Sequence, residues 1–291
     1  MVLSCTASRS GRLSSFLAGE LRMSQGLINK LKWGDGIQVN GLPQFTNYPV
    51  SVGDRITVRL DEPAVAYPGE PGELTILYED DHLLAVDKPA GMLIHPSRSQ
   101  NTGTLANLVV GYYQSTGQDC AFHPMTRLDR DTFGVVLLAK HAHAHSLLQS
   151  RPLKKTYHAL TLGGPSEDRG VIEAPIARCP LPSLLRTISP DGKPSTTEYR
   201  VIDRFDGLCK LELHPITGRT HQLRLHCCHS GFPILGDPQY TTPEATARSL
   251  QLGLSHQLLC AKTLTFSHPL TDQPVQIHSH FDSCLGMSFL I

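Results

Sequence analysis

The chain has 291 residues, enough for one large core or for two domains of unequal size. Its 40% hydrophobic and 18% charged residues, at a formal net charge of zero, fit a globular protein and exclude a disordered or fibrous chain. No apolar run approaches the roughly 20 residues that span a bilayer. Val2-Leu3-Ser4-Cys5 also lacks the charged region and apolar stretch of a lipoprotein signal, so a cytoplasmic protein without membrane contact is expected. The first predicted elements are two short helices between Leu13 and about Lys32, with Leu13, Phe16, Leu17, Leu21, Leu27, Ile28 and Leu31 on their apolar faces and Ser24 placed to cap the second. Gly36-Ile37-Gln38-Val39 then reads as a short strand entering an Asn40-Gly41 hairpin turn. Val52-Gly53-Asp54 forms another turn, and Ile56–Leu60 alternates like a strand.

Residues 1–60 hold seven basic and three acidic residues, a net of +4 that leaves −4 for the remainder. Two helices, a small sheet and a basic excess suit an accessory RNA-binding module. On Gln38-Val39-Asn40-Gly41, the Gly53-Asp54 turn and the closing strand, the segment resembles the small RNA-binding module first described in a small-subunit ribosomal protein. A packing or dimerisation domain is the plainer reading. The module is taken as 1–62, followed by a linker at 63–73 marked by Pro63, Pro68, Gly69, Pro71 and Gly72.

The region 74–291 is strand-rich, with strands expected at Leu74–Tyr78, Leu83–Asp87, Gly134–Ala139, Thr156–Leu162, Thr196–Arg204 and Leu208–Leu213. Helices are expected near Leu105–Tyr113, His143–Ser150, His221–Ser230 and Thr242–Leu252. This is an α+β mixture and not a βαβ alternation.

Two stretches concentrate chemistry. Arg127-Leu128-Asp129-Arg130-Asp131-Thr132-Phe133-Gly134 leads straight into the apolar run Val135–Ala139, which holds a carboxylate beside the sheet. Flanking Arg127 and Arg130 favour its anion, and a positioned carboxylate acts as nucleophile or general base. A charged turn with a surface ion pair is the plain alternative. His214-Pro215-Ile216-Thr217-Gly218-Arg219-Thr220-His221-Gln222-Leu223-Arg224 places guanidinium groups and backbone N–H groups at a helix start, a natural phosphate site. Arg224 is also able to reach a carboxylate across a cleft.

Together these stretches resemble the RluA-type pseudouridine synthase family. Arg127-Leu128-Asp129 and Thr132-Phe133-Gly134 fall on its H-R-L-D-x-x-T-S-G pattern. Lys88-Pro89-Ala90-Gly91 with His95-Pro96, Lys155-Thr156-Tyr157-His158-Ala159, Gly218–Arg224 and Pro233-Ile234-Leu235-Gly236-Asp237 supply four further motifs in the family's order, over about residues 74–285. Thr126 stands for the usual His, Phe133 for the usual Ser, and Cys260-Ala261-Lys262 for the usual H-x-L. The first two departures are expected to alter RNA contacts or cleft packing and not the reacting centre.

The resemblance implies a bent, mainly antiparallel mixed sheet with peripheral helices and a central cleft. It implies isomerisation of uridine to pseudouridine in a flipped-out nucleotide, with Asp129 as the essential carboxylate. Attack on the sugar carbon and removal of a ribose proton both remain open. Arg224 is expected to pair with Asp129, and Tyr157 to contact the base. Leu223 is placed below the base, Arg127 in the gap left by it, and Arg219 and Lys88 on phosphate. Thr220, His221 and Gln222 complete the expected RNA-binding set. Ribosomal RNA of the large subunit is the favoured partner, with transfer RNA open and a monomer expected.

No cofactor is expected, since the rearrangement is redox-neutral and neither a P-loop nor a dinucleotide fingerprint is present. No metal is expected either: His141, His143 and His145 lack an H-E-x-x-H pattern, and Cys5, Cys120, Cys179, Cys209, Cys227, Cys228, Cys260 and Cys284 form no C-x-x-C pair. Two rivals are a glycosidic hydrolase, for which Asp131 and Asp87 are the candidate second carboxylates, and a protein that binds RNA without modifying it.

Overall fold

The computed structural model describes residues 2–60, 67–97 and 99–281. The start of the expected linker and the last ten residues, with Cys284, lie outside the described residues.

The amino-terminal segment places α1 (Leu13–Ala18) and α2 (Gln25–Leu31) beside a four-stranded antiparallel sheet. Its strands are β1 (Val2–Thr6), β2 (Ile37–Val39), β3 (Leu42–Pro43) and β4 (Arg55–Arg59), in the order β1-β4-β2-β3. Ser24 Oγ accepts from the Leu27 amide at 3.2 Å and starts α2, as its sequence position suggests. Asn40 and Gly41 turn the β2–β3 hairpin with φ of 51° and 82°, values an Asn-Gly pair adopts readily. Leu3, Phe16, Leu17, Ile37, Ile56 and Val58 are buried in one core. β1 was not among the expected elements: Val2–Thr6 is an outer strand with only Leu3 buried, so its apolar signal is slight.

This segment is docked on the rest of the chain. Asp272 accepts from Arg22 and, at 2.8 Å, from Arg151, while His143 Nε2 lies 2.9 Å from the Leu21 carbonyl oxygen and Leu270 packs on the amino-terminal core.

The second sheet has ten strands. Its labelled strands are β5 (Ile76–Glu79), β6 (Leu83–Lys88), β7 (Phe133–Ala139), β8 (Lys154–Leu162), β9 (Arg169–Glu173), β10 (Thr196–Phe205), β11 (Leu208–Pro215), β12 (Leu259–Ser267) and β13 (Pro274–His278). They run in the order β9-β10-β11-β8-β12-β7-β6-β5, with β13 paired to β12 and His123–Pro124 to β7. Every pairing is antiparallel except β7–β12, where Phe133 opposes Cys260 and Gly134 opposes Ala261. β6 and β7 are covered on both faces: α3 (Leu105–Ser115) packs on Leu84, Val86, Val136 and Leu138, and α4 (Ala142–Gln149) on Leu83, Ala85, Val135 and Leu137. That double burial explains their unbroken apolar runs. α5 (Gln222–His229) lays Leu223 and Cys227 over Tyr157, Leu211 and Leu213. α6 (Pro243–Gln251) lies at the edge, capped by Thr242.

The β7–β12 junction positions the site. Asp129 lies just before β7, and Tyr157 on β8 faces Ala261 of β12 in register. The β8–β12 ladder slips between Thr156 and Tyr157, a bulge of the kind that re-aims a side chain next to a site. Gly134 lets β7 and β12 meet: it adopts φ 109°, and a Cβ there would stand 2.4 Å from the Ala261 carbonyl oxygen. The strands β9, β12 and β13 were not expected. β9 offers only Val171 and Ile172 as apolar residues, and Lys262-Thr263 interrupts the hydrophobic pattern of β12. Among the described residues, no helix is long and apolar enough to cross a membrane.

Candidate active site

A cavity of about 420 Å3 opens beside this junction, lined among others by Asp129, Tyr157, His221, Leu223 and Arg224. Polar groups hold the turn that carries Asp129. The Thr132 amide donates to the Asp129 carbonyl at 3.2 Å, and buried Gln257 donates to the Thr132 hydroxyl at 2.9 Å. Lys88 Nζ donates to the carbonyls of Pro89, Met92 and Arg130 at 2.8–2.9 Å.

Lys88 is therefore not a phosphate contact, contrary to the sequence expectation. Its side chain is fully buried, and three carbonyls use all three ammonium protons. Burial pushes its pKa down to about 7, with Asp131 and Asp129 acting in the opposite direction. Arg130 does not flank the Asp129 carboxylate either; its exposed guanidinium pairs with Asp131 at 3.1 Å.

Asp129 Oδ2 accepts from Arg224 Nη1 at 3.0 Å, the pairing the sequence led us to expect. Arg224 is only 5% exposed and is held from behind by a second carboxylate. Its Nε donates to Asp237 Oδ2 at 2.7 Å, and its Nη2 donates to Asp237 Oδ1 at 2.8 Å and to Gln239 at 3.0 Å. The guanidinium carbon lies 5.1 Å from the Tyr240 ring centroid. Asp237 is itself fixed by the amides of Gln239 and Tyr240 at 2.8 and 3.0 Å. Burial disfavours the Arg224 charge, but Asp237 and then Asp129 outweigh it and raise the pKa.

Tyr157 is buried beneath the cavity and its hydroxyl has no partner among the described residues. Burial first, then the charge of Asp129 and Cys260, pushes its phenol up, so the group is a hydrogen-bond donor at neutral pH and not a phenolate. Leu223 packs beside it with Leu128 and Leu259, giving the cavity an apolar wall.

His221 precedes α5 in the left-handed region, with φ 59°. Its Nε2 lies 3.9 Å from Asp129 Oδ2 and its Nδ1 lies 2.9 Å from the Tyr240 hydroxyl, which accepts from the Arg186 amide. Burial lowers its pKa against the pull of Asp129, which favours a neutral ring. Such a ring suits both neighbours when Nδ1 accepts from Tyr240 and Nε2–H faces Asp129.

Gln222 is a second correction. It is 3% exposed, its Oε1 accepts from the Thr217 hydroxyl and the Arg219 amide, and its Nε2 donates to the Thr196 carbonyl and the Thr197 hydroxyl. Every polar group of the amide is used in shaping the loop, leaving none for RNA. Arg127, Arg219 and Thr220 are exposed at the cavity mouth. Thr126 is buried and accepts from the Leu137 amide at 3.0 Å, and Phe133 packs edge-on against Phe281. Both departures from the family pattern thus act on packing and not on RNA contacts.

The carboxylates considered for a hydrolase lie elsewhere. Asp87 is buried against the Ser279 hydroxyl and the His280 amide, and Asp131 is paired with Arg130. Neither lines the cavity. His141 caps α4 and touches His82, while His143 meets Leu21. The sequence reading missed Gln239 and Tyr240 and took Asp237 only as part of a motif.

Residues 82–229 match the family model described as RNA pseudouridylate synthase. The chain belongs to this family. An uncharacterized RNA pseudouridine synthase, YjbO, of Bacillus subtilis (strain 168) is 36% identical over 269 residues, covering 90% of this chain and 93% of that protein. Ribosomal large subunit pseudouridine synthase C of Vibrio vulnificus is 30% identical, covering 92% and 88%. Among solved structures, human RNA pseudouridylate synthase domain containing 1 superposes with a TM-score of 0.58 at 26% identity, covering 72% of this chain and 85% of that one. The α+β fold with its mostly antiparallel sheet is that of the family, and the protein is an RNA pseudouridine synthase that isomerises uridine in RNA.

Proposed function

We propose that the protein converts specific uridines of large-subunit ribosomal RNA to pseudouridine, with Asp129 as the catalytic carboxylate. The observation that carries this reading is the Asp129–Arg224 pair, 3.0 Å apart beside the Tyr157–Leu223 wall of the cavity. The substrate class is supported by the names of two relatives: the Vibrio vulnificus enzyme, and ribosomal large subunit pseudouridine synthase D of Nitrosomonas europaea, 37% identical over 214 residues.

The target atoms are shielded in a stacked helix, so the nucleotide is flipped into the cavity. Arg127 at the mouth fills the gap, and Arg219 and Thr220 meet phosphate. Asp129 then attacks C1′ or takes a proton from C2′. Either step breaks the C1′–N1 bond and releases uracil as an anion that stays within the cavity. The base turns and C5 bonds to C1′, either as the Asp129–C1′ ester bond breaks or as C2′ takes its proton back from Asp129. The C5 proton leaves and N1 gains one, so Asp129 is regenerated and the product is an isomer. Tyr157 donates a hydrogen bond to the base as charge develops on it, and Leu223 supports the base from below. Residues 1–62, with their net positive charge, serve as an RNA-binding module joined by 63–73 to the catalytic domain at 74–291.

Mapping pseudouridine in ribosomal and transfer RNA from cells with and without the gene tests this. Loss of one or a few ribosomal sites, restored by the wild-type chain and not by Asp129→Asn, is expected. Loss confined to transfer RNA would move the substrate, and no loss would favour a binding protein.

A further inference from the structure

We infer that Asp237 is a positioning residue whose work is to divide Arg224, so that Asp129 is held by one oxygen only and keeps the other for the ribose. The inference rests on the reading of Asp129 as the catalytic carboxylate.

A guanidinium grips a carboxylate with two hydrogen bonds in two ways, side-on through Nε and Nη2 or end-on through Nη1 and Nη2. Both require Nη2. Here both Nη2 protons are already engaged, one by Asp237 Oδ1 at 2.8 Å and one by Gln239 Oε1 at 3.0 Å, and Nε is taken by Asp237 Oδ2 at 2.7 Å. Only Nη1 is left for Asp129, and it reaches Oδ2. His221 Nε2 also faces Oδ2, at 3.9 Å. Among the described residues, no donor reaches Asp129 Oδ1.

Such a division suits a nucleophile or base. A carboxylate gripped at both oxygens is a poor one, since either route requires giving up a charge-assisted hydrogen bond before reaction. Asp237 is suited to the opposite task. Its side chain is fully buried, it is anchored by two backbone amides, and it lies behind Arg224, which separates it from Asp129. Arg224 thus orients Asp129 without capturing it.

The test uses the full chain and unmodified, transcribed large-subunit ribosomal RNA under single turnover. Asp237→Asn keeps the shape but loses one acceptor of the side-on pair with Nε and Nη2, which loosens the guanidinium and lets it turn to grip Asp129 at both oxygens. The expected result is a rate at least tenfold lower, RNA affinity within about twofold of wild type, and an acidic limb of the rate–pH profile displaced to lower pH. Both a second donor on Asp129 and the loss of the Asp237 charge favour the Asp129 anion, so the part of the displacement that disappears with the fork is the part that reports the grip. Arg224→Lys in the Asp237→Asn background removes the fork and returns the limb toward its wild-type position. An unmoved limb, or a rate within threefold of wild type, overturns the inference. If Asp237→Asn does not fold, Gln239→Ala decides, because it frees the Nη2 proton beside Nη1 for an end-on grip on Asp129: a displacement in the same direction supports the division of Arg224, and an unmoved limb refutes it. Full activity of Asp129→Asn would instead remove the catalytic reading itself, whatever Asp237 does.

Discussion

The amine of Lys88 lies 2.9 Å from the carbonyl oxygen of Arg130, the residue that follows Asp129. A lysine at the end of β6 thereby ties the turn that carries Asp129 to the sheet.

Lys88→Met is accordingly expected to lower turnover and to destabilise the fold by about 1–3 kcal/mol, because buried carbonyls lose their donor. The salt dependence of RNA binding is expected to stay as it was. A phosphate contact would contribute about 0.7–0.9 to the slope of log affinity against log salt. A slope reduced by that amount in the variant would restore Lys88 to the RNA interface.

Arg224→Ala leaves Asp237 buried without its cation. Breaking a buried pair in this way costs about 3–5 kcal/mol. Urea denaturation should show a loss of that size together with inactivity. A stability change under about 1 kcal/mol would mean that water reaches Asp237 and that the site is looser than its geometry indicates.

Acid should weaken the fold through His226. Its Nδ1 lies 2.9 Å from the Thr197 hydroxyl, which accepts from Gln222, and its Nε2 lies 3.0 Å from the Ala174 carbonyl oxygen. The arrangement suits a neutral ring with Nδ1 accepting. Burial lowers the His226 pKa, partly offset by the Ala174 carbonyl. The unfolded chain therefore takes up the proton first. Stability from the neutral ring is complete above about pH 6.5, the unfolded value, and is lost as pH falls through the folded value. The urea midpoint should fall between pH 7.5 and 5, and fall less in His226→Asn. Equal losses in both proteins would exclude His226 as a source.

Gly134→Ala should destabilise by about 2–4 kcal/mol, combining strain at positive φ with overlap on the Ala261 carbonyl. Thermal melting measures this, and an unchanged melting temperature would show that β7 and β12 separate easily.

The doubly buried runs Leu83–Val86 and Val135–Ala139 were readable because burial on both faces leaves an unbroken apolar stretch. The Asp129–Arg224 pair was readable through the family motifs. Lys88 and Gln222 were misassigned for one reason: a polar side chain beside a motif resembles a ligand group until the structure shows that carbonyls, amides or hydroxyls of the same chain consume its hydrogen bonds. Asp237, Gln239 and Tyr240 escaped notice as site residues because their role exists only where α5 meets the loop after Ile234. No local pattern states that Arg224 must be shared between two carboxylates.

The central claim is that Asp129 carries the reaction. The most direct measurement is single-turnover conversion of uridine in unmodified large-subunit ribosomal RNA by wild type and by Asp129→Asn, with RNA affinity measured alongside. The expected result is pseudouridine from the wild-type chain and none from the variant, with affinities within about tenfold, or 1.4 kcal/mol. Pseudouridine formed by Asp129→Asn at the wild-type rate would contradict the account.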